Sequence, residues 1–141
     1  MNIAIINGPN LNNLGKRDNS VYGSKSLAEI ERMISDKINP LSVNLTFFQS
    51  NAEGEIIDYI QQITEKTDAI IINPGGLTHY SISLRDCLSD FNGRIIEVHL
   101  SNIHARESFR RESLIADICE GHIAGLGWYG YLSAINYLIT E

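Results

Sequence analysis

The sequence predicts an α/β fold: a five-stranded, doubly wound parallel sheet. Three observations lead there. Short apolar runs alternate with helical periodicities, no Pro-, Gly- or Ser-rich linker interrupts them, and β-α units of this length close by right-handed crossovers into one sheet. With 141 residues the chain forms one domain, 1–141, able to close a core without disulfides or a structural metal.

Residues 3–6 are a short apolar run and give the first strand. Ser26 and Glu29 form a capping box opening a helix whose Leu27, Ile30, Ile34 and Ile38 share one stripe. Residues 43–48 read as the second strand, and Ile56, Ile57, Ile60 and Ile63 mark the helix after it. Residues 69–72 are continuously apolar, as in strands buried on both faces of a parallel sheet. A helix over 78–91 follows, with Thr78 placed to cap it and Leu84, Cys87, Leu88 and Phe91 at core spacing. The fourth strand takes 94–100, a short segment 106–116 and the fifth strand 118–124, and the last helix carries Leu132, Ile135 and Leu138.

Apolar residues at 43%, charged residues at 20% and a formal charge of −6 describe an ordinary globular chain with no basic footprint for nucleic acid or an anionic membrane. Any anion recognition must be local. The first residues have no basic n-region and too short an apolar run for a signal peptide or a membrane span. A cytoplasmic location is expected, with Cys87 and Cys119 as free thiols.

Ligands in such sheets bind beyond the carboxyl ends of the strands, and these tips are polar: Asn7-Gly8-Pro9-Asn10, Gln49-Ser50-Asn51, Asn73-Pro74-Gly75-Gly76 leading to Thr78 and His79, and His99 with Ser101 and Asn102. Along the fourth strand, Glu97, His99 and Ser101 share one face while Ile96, Val98 and Leu100 fill the other. That pattern fits either a built site or a solvated edge strand. Capped by Thr78, the third helix would favour an anionic group at its N-terminus. Residues 10–23 form a long loop without periodicity, in which Gly15 and Gly23 flank Arg17 and Tyr22. This reads as a hinged lid carrying a cation and a phenol, the guanidinium favouring the phenolate form.

Some chemistries lack support. Gly125 to Gly130 match G-x-G-x-x-G, but the chain ends before the acidic residue a dinucleotide site requires, so these glycines read as close backbone packing. No phosphate-binding G-x-x-x-x-G-K-[ST] and no nucleophile elbow occur. His79, His99, His104 and His122 form no zinc-like spacing with the cysteines, so no metal is expected. A flavin- or nucleotide-binding module of the same fold is the rival reading, although Pro9-Asn10-Leu11-Asn12 is a poor phosphate cradle.

The ordered blocks Asn7-Gly8-Pro9-Asn10-Leu11-Asn12, Arg17 with Tyr22-Gly23, Gln49-Ser50-Asn51, Asn73-Pro74-Gly75-Gly76 with Thr78-His79 and Arg85-Asp86, and Glu97-Val98-His99-Leu100-Ser101-Asn102 with Arg106-Glu107 and Phe109-Arg110 resemble type II 3-dehydroquinate dehydratases. The resemblance spans the first strand to the last helix. It implies a flavodoxin-like fold, a lyase of the shikimate or quinate pathway that needs no cofactor, and a homododecamer arranged as a tetramer of trimers.

By position, the resemblance makes Tyr22 the base activated by Arg17, and His99 the general acid oriented by Glu97. Asn10 would hold a water against the enolate oxygen. Asn73 and the backbone N–H groups of Leu100 and Ser101 would bind the substrate carboxylate, His79 and Arg110 the ring hydroxyls, while Asp86 would reach a neighbouring subunit's site. Removing water from a β-hydroxy ketone needs a base, an acid and an enolate stabiliser, which these residues supply without a lysine imine. The lid reads Arg17-Asp18-Asn19 where the family commonly has Arg-Glu-Pro, which predicts a more mobile lid. Leu77 stands where an aromatic is common, and Ser108 where proline often precedes the Phe-Arg pair.

Overall fold

A computed structural model describes residues 1–38 and 43–140. Five parallel strands, β1 (Asn2–Asn7), β2 (Asn44–Gln49), β3 (Ala69–Asn73), β4 (Arg94–His99) and β5 (Gly121–Ala124), lie in the order β2-β1-β3-β4-β5. The predicted flavodoxin-like sheet is therefore present. β4 lies inside the sheet, so the edge-strand reading of its polar face is excluded.

Alternation of side chains divides the core in two. Ile3, Ile5, Ile71, Ile96 and Val98 pack on one face against helices α2 (Leu27–Ile38) and α5 (Tyr129–Thr140). Ile6, Ile70, Ile72 and Ile95 pack on the other against α3 (Glu53–Ile63) and α4 (Ile82–Ser89). All of β3 is buried, as its unbroken apolar run requires. The α2 capping box forms: the Ser26 N–H donates to Glu29 Oε2 at 2.7 Å and the Glu29 N–H to Ser26 Oγ at 3.2 Å.

Three boundaries depart from the sequence reading. Helix α4 begins later, because Gly75–His79 wind as a 3₁₀ turn and Ser81 is the cap, accepting from the Leu84 N–H at 3.0 Å. Thr78 is thus not the cap, and its hydroxyl turns inward. The 10–23 loop has structure of its own, a 3₁₀ turn at Leu11–Asn13 and the short helix α1 (Asn19–Tyr22), whose cap Asp18 accepts from the Ser20 N–H at 2.9 Å. Strand β5 is shorter than read, since Ala116–Ile118 turn before it.

The loops after β1 and β3 meet backbone to backbone. Gly8 donates its N–H to the Asn73 carbonyl at 2.8 Å, and a Cβ on Gly8 would fall 2.4 Å from the Pro74 oxygen. Gly75 returns the contact in the left-handed region, φ 58°, against Pro9. In the first turn of α5, a Cβ on Gly130 would stand 3.0 Å from Val98, so α5 sits close on the sheet.

We expect Gly8→Ala to destabilise the fold by about 1–3 kcal/mol, because two backbones must separate. Gly54→Ala in α3, where a Cβ meets nothing within 4 Å, should stabilise by about 0.5–1 kcal/mol. Urea unfolding of the pair measures the contrast; equal effects would remove the close approach as a constraint.

Candidate active site

Strand order reverses between β1 and β3, the position at which open α/β sheets leave a crevice. A cavity of about 290 Å³ opens there. Asn10 and Leu11 line it from the first loop, Arg17 and Tyr22 from the lid, and Asn73 with His79 from the third. His99, Leu100 and Ser101 follow from β4, with Arg106, Phe109 and Arg110 closing the wall. Asp86 does not line it and is exposed on α4. The second tip is also outside: Asn51 Oδ1 accepts from the Asn10 N–H at 2.9 Å, and Gln49 Nε2 donates to the Gly8 carbonyl at 3.2 Å. Contrary to the sequence reading, Gln49 and Asn51 brace the first loop instead of facing a ligand.

Glu97 is fully buried behind His99. Its Oε1 lies 2.7 Å from His99 Nε2 and accepts from Thr78 Oγ1 at 2.5 Å, while Ser113 Oγ donates to Oε2 at 2.8 Å. Burial pushes the carboxyl pKa up, but the His99 hydrogen bond and charge, then Thr78 and Ser113, outweigh it and hold Glu97 below the usual carboxylate range. The imidazole is thereby pinned through one nitrogen, leaving Nδ1 as the other. A carboxylate that orients an imidazole is suited to acid–base work.

Across the cavity, the Tyr22 hydroxyl oxygen accepts from Arg17 at 3.0 Å and from Arg106 at 2.9 Å. The Arg17 guanidinium also lies over the ring, 3.9 Å from its centroid. Two charge-assisted hydrogen bonds thus converge on one phenolic oxygen. Arg106 additionally donates to Ser101 Oγ at 3.1 Å, tying lid to β4. Sequence reading gave Arg106 no role, because 84 positions separate it from Tyr22.

Asn73 is oriented from both ends: its Oδ1 accepts from the Gly75 N–H at 3.2 Å, and its Nδ2 donates to the Tyr131 hydroxyl at 3.1 Å. One Nδ2 hydrogen remains for a ligand. Tyr131 is completely buried and donates to Asn7 Oδ1 at 2.6 Å. The available signal was a tyrosine on the apolar stripe of the last helix, since a buried phenol requires a partner. Asn10 adopts φ 71°, the one left-handed non-glycine among the described residues. At the rim, His79 Nδ1 lies 2.7 Å from the Glu112 carbonyl and Arg110 pairs with Glu107 at 2.5 Å.

No sequence spacing suggested His122, yet Glu97, His99 and His122 each bring one ligand-type atom within 4.8 Å of the others. Burial lowers the His122 pKa, against the opposing pull of Glu97. As for phosphate binding, the N–H groups of Gly8, Asn10 and Leu11 already have protein acceptors. The first loop therefore has little to offer a flavin or nucleotide phosphate.

Comparison with known proteins identifies the family. The family model described as dehydroquinase class II matches residues 1–139. The chain belongs to that family. The 3-dehydroquinate dehydratase of Halothermothrix orenii is 52% identical over 138 residues, covering 98% of this chain and 93% of that protein. That of Bacillus pumilus is 47% identical over 137 residues, covering 97% and 93%. The crystal structure of type II dehydroquinase from Butyrivibrio crossotus superposes with a TM-score of 0.95 at 44% identity, covering 98% of this chain and 97% of that one.

Set within the class II dehydroquinase family, the lid's departure from Arg-Glu-Pro has a local counterpart. Asp18 caps α1 and also accepts from Ser20 Oγ at 2.6 Å, so a side-chain turn stands where a proline would restrict φ. Leu77 is buried against the α3–α4 core, and Ser108 begins a 3₁₀ turn.

The direction of the Glu97 shift makes a stability prediction. A carboxyl held lower in the folded than in the unfolded state stabilises fully above its unfolded pKa and loses that contribution as pH falls through the folded one. The stability difference between wild type and Glu97→Gln should therefore be constant above about pH 5 and shrink below about pH 4. Urea titrations across that range measure it; a difference independent of pH would mean Glu97 is not held ionised by the fold.

Proposed function

We propose that this chain removes water from 3-dehydroquinate to give 3-dehydroshikimate through an enolate, with Tyr22 as phenolate base and His99 as general acid. The observation that carries the reading is the phenolic oxygen held by two guanidiniums across the cavity from a carboxylate-backed imidazole. Tyr22 takes the proton from the carbon beside the ketone, and the electron pair moves to the carbonyl oxygen as an enolate. Asn10 holds a water against that oxygen. Collapse of the enolate expels the β-hydroxyl, which leaves as water with the proton given by His99. Glu97 keeps His99 oriented for that transfer. Asn73, with the Leu100 and Ser101 N–H groups, takes the substrate carboxylate, and His79 and Arg110 take the ring hydroxyls. The same residues need neither a cofactor nor a metal.

Arg106 joins Arg17 in this scheme. Purified protein given 3-dehydroquinate should develop the absorbance of a conjugated enone. His99→Ala should lower kcat by about 10²-fold or more with a smaller change in KM. Tyr22→Phe, Arg17→Ala and Arg106→Ala should all be severely impaired, and Tyr22→Phe should lose little more when either arginine is also removed, since the three serve one function. Additive losses, or ordinary turnover in Tyr22→Phe, would make the lid tyrosine a mere substrate contact.

We further propose that the chain acts in the cytoplasm as a homo-oligomer, a dodecamer built as a tetramer of trimers in which Asp86 completes a neighbour's site. Two free thiols suit a reducing compartment, and among the described residues no helix is long and apolar enough to cross a membrane. Supporting the shared site, Asp86 projects from α4 on the same face as Ile82, which is 65% exposed beside Tyr80 at 68%. Ile82→Glu should break the assembly, read by sedimentation velocity, and lower turnover while each subunit stays folded. A dissociated, folded subunit running at the assembled rate would refute the shared site.

A further inference from the structure

Glu97 has a neighbour that dehydration leaves idle. Register pairs it with His122 on β5, so both side chains leave the same face of the sheet, and His99 lies on that face two residues along β4. His122 Nε2 stands 3.8 Å from Glu97 Oε2, too far for a hydrogen bond. That nitrogen is buried and has no partner among the described residues. Its ring centroid is 5.6 Å from that of His99. Buried polar atoms are almost always paired, so an imidazole nitrogen aimed at a carboxylate without reaching it calls for a ligand.

We propose that Glu97, His99 and His122 form an inhibitory site for a divalent transition-metal ion of the zinc class. Donors on a tetrahedral zinc with bonds of about 2.0–2.2 Å stand roughly 3.3–3.6 Å apart. The three groups here already offer one atom each within 4.8 Å of one another, so small side-chain rotations bring them to a common ion. Two imidazoles and one carboxylate select zinc, cobalt, nickel or copper over magnesium and calcium, and three protein donors leave one position open. Entry is possible from the cavity at His99 and from the surface at His122, whose side chain is 25% exposed. Bound metal takes the Nε2 lone pair of His99 that faces Glu97, so the ring can no longer form the imidazolium that gives its Nδ1 proton to the departing hydroxyl, and it draws Glu97 away from its orienting task. Metal binding follows from this geometry alone; inhibition rests in addition on the proposed role of His99.

Chelator-treated protein without an affinity tag is titrated with cobalt(II) and followed by visible d–d absorption, and with zinc(II) in the dehydratase assay. Expected are a cobalt band of low-symmetry, four-coordinate type saturating at one ion per chain, and zinc inhibition that a chelator reverses and magnesium does not reproduce. His122→Gln should keep its turnover, lose the band and require at least about tenfold more zinc for inhibition. His122→Phe, which retains a ring on β5, provides the same test if the glutamine variant folds poorly. His104→Gln, whose exposed imidazole lies 6.4 Å from that of His122, should change neither readout. An unaltered cobalt band in both His122 variants, or no cobalt uptake by wild type, overturns the site. A His122-dependent band without zinc inhibition overturns the inhibitory role, and it is read without relying on turnover of any His99 variant.

Discussion

The carboxylate of Glu97 is the point on which the site's geometry depends. It stands inside the sheet on β4, fully buried, and could not remain ionised there without its partners. Those partners come from three separate stretches: Thr78 from the turn after β3, Ser113 from the segment before β5, and His99 from its own strand. Satisfying one charge therefore positions the turn ahead of α4, the 108–116 wall of the cavity and the imidazole at once. Ser113 extends the network, since its oxygen also accepts from the Ala116 N–H at 3.0 Å. Removing any one hydroxyl leaves a buried charge less satisfied, a cost greater than the gain from the bond when formed.

Around this centre, backbone approaches do what side chains cannot. Gly8 and Gly75 let two strand-tip loops touch, and Asn10 holds a left-handed conformation between them. Asparagine tolerates that region better than most residues, because its short polar side chain suits local hydrogen bonding. The Asn10 N–H is in turn held by Asn51 from the second tip. One strand end thus braces the loop by which another reaches the cavity.

The lid is held by charge as well as by packing, since Tyr22 also lies against the core beside α2 and α5. Arg17 belongs to it and Arg106 to the opposite wall, and both converge on the Tyr22 oxygen. Closure and the electrostatics of the phenol are therefore one event: moving the lid away withdraws Tyr22 from Arg106. Gly15 and Gly23, both with φ near 80–90°, bound the segment that would move.

Sequence alone determined the alternation of strands and helices, the capping box of α2, the buried character of β3, and the common face of Glu97 and His99. These depend on periodicity and on neighbours within a few residues, which the order of amino acids records directly. It also carried the family blocks, since those are contiguous strings. Tertiary structure decided the rest. Thr78 reads as a cap because caps are local, yet a buried carboxylate 19 residues away claims its hydroxyl. Gln49 and Asn51 read as ligand groups, yet the first loop needs them as donor and acceptor respectively. Arg106, Tyr131 and His122 gain their places only when segments 84, 58 and 25 residues distant in sequence are brought together. Cross-strand register and the demand that every buried polar atom find a partner are properties of the packed sheet, and no local pattern in the chain expresses them.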